Sequence, residues 1–381
     1  MKPNATFTFL ICLYLGHSSV FSQTEESPLR VFGYFQNQFK QQGSARQDRE
    51  TNSFLVQQLN LFFQKNLSKN WAAYVNFEVL NSFSISRNTG AISLEEAWVR
   101  YRLNRKFNLK LGLQIPTFNH LNRIKNRTPV LPYIIRPLVY EASLSEVLPV
   151  DEFIPARAFV EVYGILPARE FKFDYAVFIG NSPNISTLDD PGQSGVDTTA
   201  TFLIGGRFGI RYKELKVGVS STFDKVNRFQ DFAPRIPEEL SDLEEIPRLR
   251  FGADLSYTFG PLWFQGEYIS MQFDEGTELV RLDTEFLYAT LGWRITETLQ
   301  VYGGFWLTRV HNNRLLGADP VVEIEEFVDT TKSPTVGAAY HLNDRLVFKG
   351  QVVHFDRMRN NPRVPPDPGF EIYTLAVSVS F

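Results

Sequence analysis

The chain of 381 residues carries a single cysteine, Cys12. It falls inside an N-terminal apolar stretch, so the rest of the chain makes no disulfide and offers no thiolate to a metal or a substrate. No run of 18 apolar residues follows residue 22, so no membrane-spanning helix is read. Histidine is scarce too. Beyond the N-terminal stretch there are only His120, His311, His341 and His354, none in a metal-binding spacing. No Gly-x-Ser-x-Gly turn is present. Hence no metal, cofactor or catalytic residue is read, although a site assembled across barrel strands would leave no such spacing. The formal net charge of −3 lacks the basic excess of a nucleic-acid binder.

What is present begins with an export leader. Lys2, the apolar run Phe7 to Leu15 and the compact residues Val20-Phe21-Ser22 describe a signal peptide over residues 1–22, cut after Ser22. Ile11 precedes Cys12, where a lipoprotein leader needs a small residue. Residues 23–381 then form one domain.

That domain is a series of short alternating runs. In Trp71 to Leu80, Ala73, Val75, Phe77 and Val79 lie on one face and Tyr74, Asn76 and Glu78 on the other. Phe107, Leu109, Leu111 and Leu113 alternate with Asn108, Lys110, Gly112 and Gln114. The pattern recurs up to Leu299 to Thr308, Thr335 to Leu342, Leu346 to Phe355 and Phe370 to Phe381, sixteen strands in all. Short turns fall near 67, 105, 168, 213, 260, 297 and 344, and long loops near 46, 85, 135, 190, 236, 277, 320 and 362. A secreted sandwich does not need this alternation. A transmembrane antiparallel β-barrel does, with short periplasmic turns and long outer loops. Only a closed sheet leaves no backbone group unpaired in lipid. The last strand ends on Phe381, as in chains handed to the barrel assembly machinery. Outward Leu111, Val217 and Leu375 should meet lipid, while inward Gly112, Gly218 and Thr374 should accept a charge.

The third outer loop, residues 115–156, is long and rich in apolar residues, so it should fold into the lumen. Its first half carries Arg123, Lys125, Arg127 and Arg136 with no acid up to Tyr140. These are the expected pore constriction. Its second half carries Glu141, Glu146, Asp151 and Glu152, which should pair with wall bases such as Arg157 or Arg100. On the strand register the inward bases are Arg100, Arg102, Lys110, Arg157, Lys172, Arg207, Arg211, Lys216, Arg248, Arg250, Arg294 and Lys349, twelve in number. They outnumber the seven inward acids Glu78, Glu96, Glu161, Asp174, Asp224, Asp254 and Glu267.

The segments LGLQIP, RTP, IIRPLVYE and PARAFVEVYG, within residues 94–164, resemble the phosphate-selective porin family, porins O and P. The resemblance implies a sixteen-stranded barrel in the outer membrane of a Gram-negative bacterium, a basic channel narrowed by the third loop, and a homotrimer. Well-known members use a dense lysine cluster, whereas here Lys125 is the one lysine of the loop. Phosphate, other small anions and polar solutes all stay open. The expectation is therefore a passive outer-membrane porin, embedded in outer-membrane lipid, without cofactor and without nucleic acid. Two other readings remain: a surface barrel with a plugged pore whose outer loops bind a partner, and a barrel enzyme.

Overall fold

A computed structural model describes residues 27–43, 51–80, 91–141, 158–182, 199, 201–226, 246–273, 282–316, 323–359 and 369–381. The expected leader over residues 1–22, Arg157 and the acids Glu146, Asp151 and Glu152 lie outside them.

The chain is a closed antiparallel barrel of sixteen strands, each paired with its neighbours in sequence. The strands are β1 (Arg30–Gln42), β2 (Thr51–Asn66), β3 (Trp71–Leu80), β4 (Ala91–Arg102), β5 (Asn108–Gln114), β6 (Ala158–Ala168), β7 (Phe171–Gly180) and β8 (Leu203–Tyr212). They continue with β9 (Leu215–Val226), β10 (Ile246–Phe259), β11 (Leu262–Phe273), β12 (Leu282–Arg294), β13 (Leu299–Leu316), β14 (Glu323–Asn343), β15 (Leu346–Arg359) and β16 (Phe370–Ser380). Closure is made by β1 on β16, where Tyr34 faces Ser380 and Gln42 faces Ile372. No sheet edge is left for lipid to meet.

The two faces obey the period of two. In β16, Leu375 is 63% exposed and Thr374 only 2%. Val217, Val219, Phe223, Phe251, Leu287, Val336 and Phe348 continue the exposed apolar face around the barrel. Near the short turns this face becomes aromatic, with Trp71, Phe171, Phe259, Trp293 and Tyr340. An outward apolar band with an aromatic girdle is what a bilayer requires of a barrel. The barrel is built to span a bilayer.

Two expectations fail here. β13 and β14 run well beyond the lipid-matched strands read from the pattern, pairing from Leu299–Tyr340 up to Leu316–Glu323. Pro334 and the acids at the start of β14 hid this extension, because strand outside the membrane needs no lipid-facing stripe. Nor are the inward positions roomy. Gly112 has φ +122, and a side chain there would collide with the backbone of Ala97 and Trp98. One at Gly218 would strike the Arg207 guanidinium and Asp254, and Thr374 donates to the Gln351 carbonyl at 3.2 Å. At these glycines an added side chain meets atoms already in place, so a charge there forces its neighbours to move.

Candidate functional site: the loop within the lumen

Residues 115–141 fill part of the lumen. Pro116, Pro129, Pro132 and Pro137 deny this segment regular structure, apart from single 3-10 turns at Leu121–Arg123 and Leu138–Tyr140. Buried backbone groups still need partners, and side chains of the wall supply them. Thr117 N donates to Glu161 Oε2 at 2.9 Å, Asn119 N to Ser220 Oγ at 2.9 Å, and Leu121 N to Glu267 Oε1 at 2.6 Å. Gln351 Oε1 accepts from Ile134 N and Ile135 N at 2.8 and 2.7 Å, and its amide returns a bond to the Ile135 carbonyl at 3.0 Å. Gln57 Nε2 donates to the Ile134 carbonyl at 2.8 Å, and Lys349 Nζ donates to the carbonyls of Thr128 and Tyr133. These anchors come from β2, β6, β9, β11 and β15, so the loop is held from several sides of the barrel.

One side of the loop is apolar. Phe118, Leu121, Leu131, Tyr133, Ile135, Leu138, Val139 and Tyr140 pack on inward Ile269, Phe286, Tyr288, Tyr302, Trp306, Val353, Phe355 and Ile372. Each such side chain contributes about 1.5–3 kcal/mol when fully buried. The register reading placed charges and small residues on the lumen face and missed this core. A signal was there. FLYATLGW and YGGFWL, in β12 and β13, are apolar on both faces, which a water-filled lumen does not demand.

The other side carries charge. Arg123 and Arg127 are exposed, and Lys125 is half-buried. Arg136 is placed differently from the expectation. It is 4% exposed, and its guanidinium donates to Glu141 Oε2 (3.2 Å), the Lys125 carbonyl (2.9 Å) and Asn126 Oδ1 (2.9 Å). Glu141 thus closes a bend inside the loop. Arg136 stands apart from the exposed loop bases Arg123 and Arg127. His120 adds no charge at neutral pH. Burial pushes its pKa down to about 4, and the nearby Lys216, Arg207 and Arg123 act in the same direction against Asp254.

Beneath Arg123, toward the short turns, lies a cavity of about 850 Å³. Arg100, Arg102, Arg105, Lys106, Arg123, Lys172, Arg207 and Arg211 line it, with Asp174 the one acid among the described lining residues. Arg207 bonds Asp174 and, at 2.7–3.0 Å, Asp254, while Arg211 Nε donates to Asp174 at 2.8 Å. Other expected lining bases are tied into the wall. Lys110 Nζ lies 3.6 Å from Glu161, and Arg250 shares buried Asp224 with Arg248. Lys216 is half-buried beside His120. Sequence reasoning passed over Arg105 and Lys106 because they occupy a turn, and missed that strand ends and loop converge on one vestibule.

Fold and site together define a sixteen-stranded outer-membrane barrel with a loop anchored in its lumen. Residues 29–131 match the family model described as phosphate-selective porin O and P. The resemblance seen in the sequence motifs is borne out over that span, from β1 into the first half of the loop. Among solved structures, a loop-deletion variant of OmpT, an outer membrane protein of Vibrio cholerae, aligns with a TM-score of 0.58 at 10% identity, covering 94% of this chain and 100% of that one. The outer membrane channel DcaP of Acinetobacter baumannii aligns at 0.55 and 9% identity, covering 95% and 99%. Salmonella typhi OmpF, in complex with daunomycin, aligns at 0.55 and 11%, covering 93% and 98%. Likeness at such identity is one of fold. No curated protein matches the sequence significantly.

Proposed function

We propose that the protein is an outer-membrane porin through which small anions and polar solutes diffuse passively, phosphate among them. It carries out no reaction, takes no cofactor and works as a homotrimer inserted by the barrel assembly machinery. The observation that carries this reading is the vestibule under Arg123, whose described lining holds eight bases and one carboxylate. In open water such charges are screened within ~8 Å at physiological salt. Between low-dielectric walls a contact strengthens from ~1 toward ~4 kcal/mol, which concentrates anions and speeds their capture. Arginines can also hold a carboxylate or phosphate through two parallel hydrogen bonds. Single-channel recording in planar bilayers tests the reading. Steady conductance steps with an anion-directed reversal potential are expected, and a cation-directed potential would refute the anion preference.

A second reading has a specific observation behind it. The apolar seat of Phe118 to Tyr140 is what a plug would need, and a plugged barrel would use its outer loops to bind a partner. Such a barrel gives no conductance steps in the same recording.

A further inference from the structure

A compact anion needs bases but no apolar floor, and the vestibule has one. After Glu161 the inward positions of β6 are Tyr163, Ile165 and Pro167, a ring, an isoleucine and a proline in succession. All three line the cavity. Tyr163 is half-buried, while Ile165, 37% exposed, and Pro167 stand open to it. A wall facing a water-filled lumen is ordinarily polar, so this stripe is unused by the reading above.

The register sets bases on both flanks of the stripe. Arg102, Asn108, Tyr163, Ala176 and Arg207 stand opposite one another along β4 to β8. Neighbouring strands lie ~4.8 Å apart, so the two arginines of this row are separated by about 19 Å along the wall. Nearer the short turns the flanks draw together. There the Arg105 carbonyl accepts from Ile165 N at 3.1 Å on one side, and Lys172 stands opposite Pro167 on the other. Two strand spacings leave about 10 Å between the flanks at this level. Arg102, Arg105 and Lys172 are exposed, and the Arg211 side chain, opposite Lys172, is 38% exposed. Asp174 faces Ile165, but Arg207 and Arg211 Nε take its two oxygens, so its charge is offset.

We propose that the vestibule selects dianions whose two charges flank an apolar body, the body lying on Tyr163 and Ile165 and the ends reaching Arg102 or Arg105 on one side and Lys172 or Arg211 on the other. A compact anion would leave the stripe unused, and an anion with one charged end would leave one flank unused. The assignment deepens the porin reading and rests on it, narrowing the solutes from anions at large to long ones charged at both ends. Extended suberate, on the order of 10 Å from end to end by its C–C bond lengths, suits the nearer spacing.

The test uses the full chain purified from outer membranes. The probes are succinate, suberate and monomethyl suberate, the last as long as suberate with one charge fewer. Adipate and glucarate, equal in carbons and charge, compare an apolar with a hydroxylated body. Titration calorimetry in detergent measures binding, and bilayer recording measures the drop in chloride current. Suberate should act at a concentration ~10-fold lower than succinate, the size of burying one or two of its additional methylenes. It should act ~5-fold lower than its monomethyl ester, the size of one solvent-screened charge contact. Adipate should act below glucarate. Tyr163→Gln with Ile165→Asn should erase the preference for suberate over succinate, and Ile165→Leu should keep it. Lys172→Gln, at an exposed position, serves if the paired variant fails to fold, and should cut the advantage over the ester to ~2-fold or less. Equal action of succinate and suberate on the wild type overturns the assignment. So does equal action of the ester, glucarate matching adipate, or a suberate preference that survives the paired substitution. Anion-directed conductance steps without a suberate preference leave the porin reading standing and strike only this narrowing. A wild type without steps fails the porin reading, and calorimetry then decides the binding alone.

Discussion

The two sides of the lumenal loop contrast sharply. Toward β11–β16 it buries eight apolar side chains against a wall that is itself apolar. Toward β4–β8 it offers Arg123 to a cavity walled by arginine and lysine. The segment is the same length of chain in both cases, so the difference lies in which face its turns present. An anchor must be dry, because hydrogen bonds and apolar contacts hold a proline-rich segment only where water does not compete. A passage must be open, because bases attract a passing anion only where it can reach them. One loop meets both demands by dividing its faces.

That division can be broken most severely from the dry side. Trp306 is fully buried in the core under the loop. Trp306→Ala should cost about 3–5 kcal/mol through lost burial and the cavity left behind, read as a lowered urea midpoint for the protein folded in vesicles. A comparable effect comes from the clamp. Gln351→Leu leaves Ile134 N, Ile135 N and the Ile135 carbonyl without their side-chain partner. Each orphaned group costs about 1–3 kcal/mol, and hydrogen exchange at the Ile134 and Ile135 amides should quicken while the strand amides stay protected.

The charged side should respond in the opposite manner. Arg123→Ser with Arg127→Ser should change stability by no more than about 0.5 kcal/mol, as exposed substitutions do. The reversal potential under a salt gradient should nevertheless move toward cations. If it stays where it was, the anion preference resides elsewhere in the vestibule. The smallest effect concerns His120, between the two sides. Its pKa is lowered from 6.5 to about 4, so it is neutral in the fold and charges more readily when unfolded. The stability it contributes is complete above pH 6.5 and declines as pH falls toward 4. His120→Gln should therefore flatten the unfolding-midpoint profile in that window relative to wild type, with little change at pH 8.

How much of this was legible before the structure differs by region. Strand number and register could be read because lipid imposes one chemistry on every second residue. Even so, the β13–β14 hairpin was read too short, since its outer part leaves the bilayer and its constraint. Within the loop, Arg123 and Arg127 were found because exposed bases stand out in a segment without acids. Arg136 looked the same in sequence. Only Glu141, brought against it by the bend at Pro137, makes it an internal tie.

The sequence by itself determined the barrel: alternation, the short-long order of connections and the aromatic final strand leave few other ways to satisfy a chain without a spanning helix. Only the tertiary structure decided where the lumen is dry and where it is charged. Those properties depend on groups far apart in the chain, such as Leu121 N against Glu267, Ile134 N against Gln351, and Arg123 and Arg211 on one cavity. A period of two says which side of the wall a residue faces. It does not say whether water or the loop will be there to meet it.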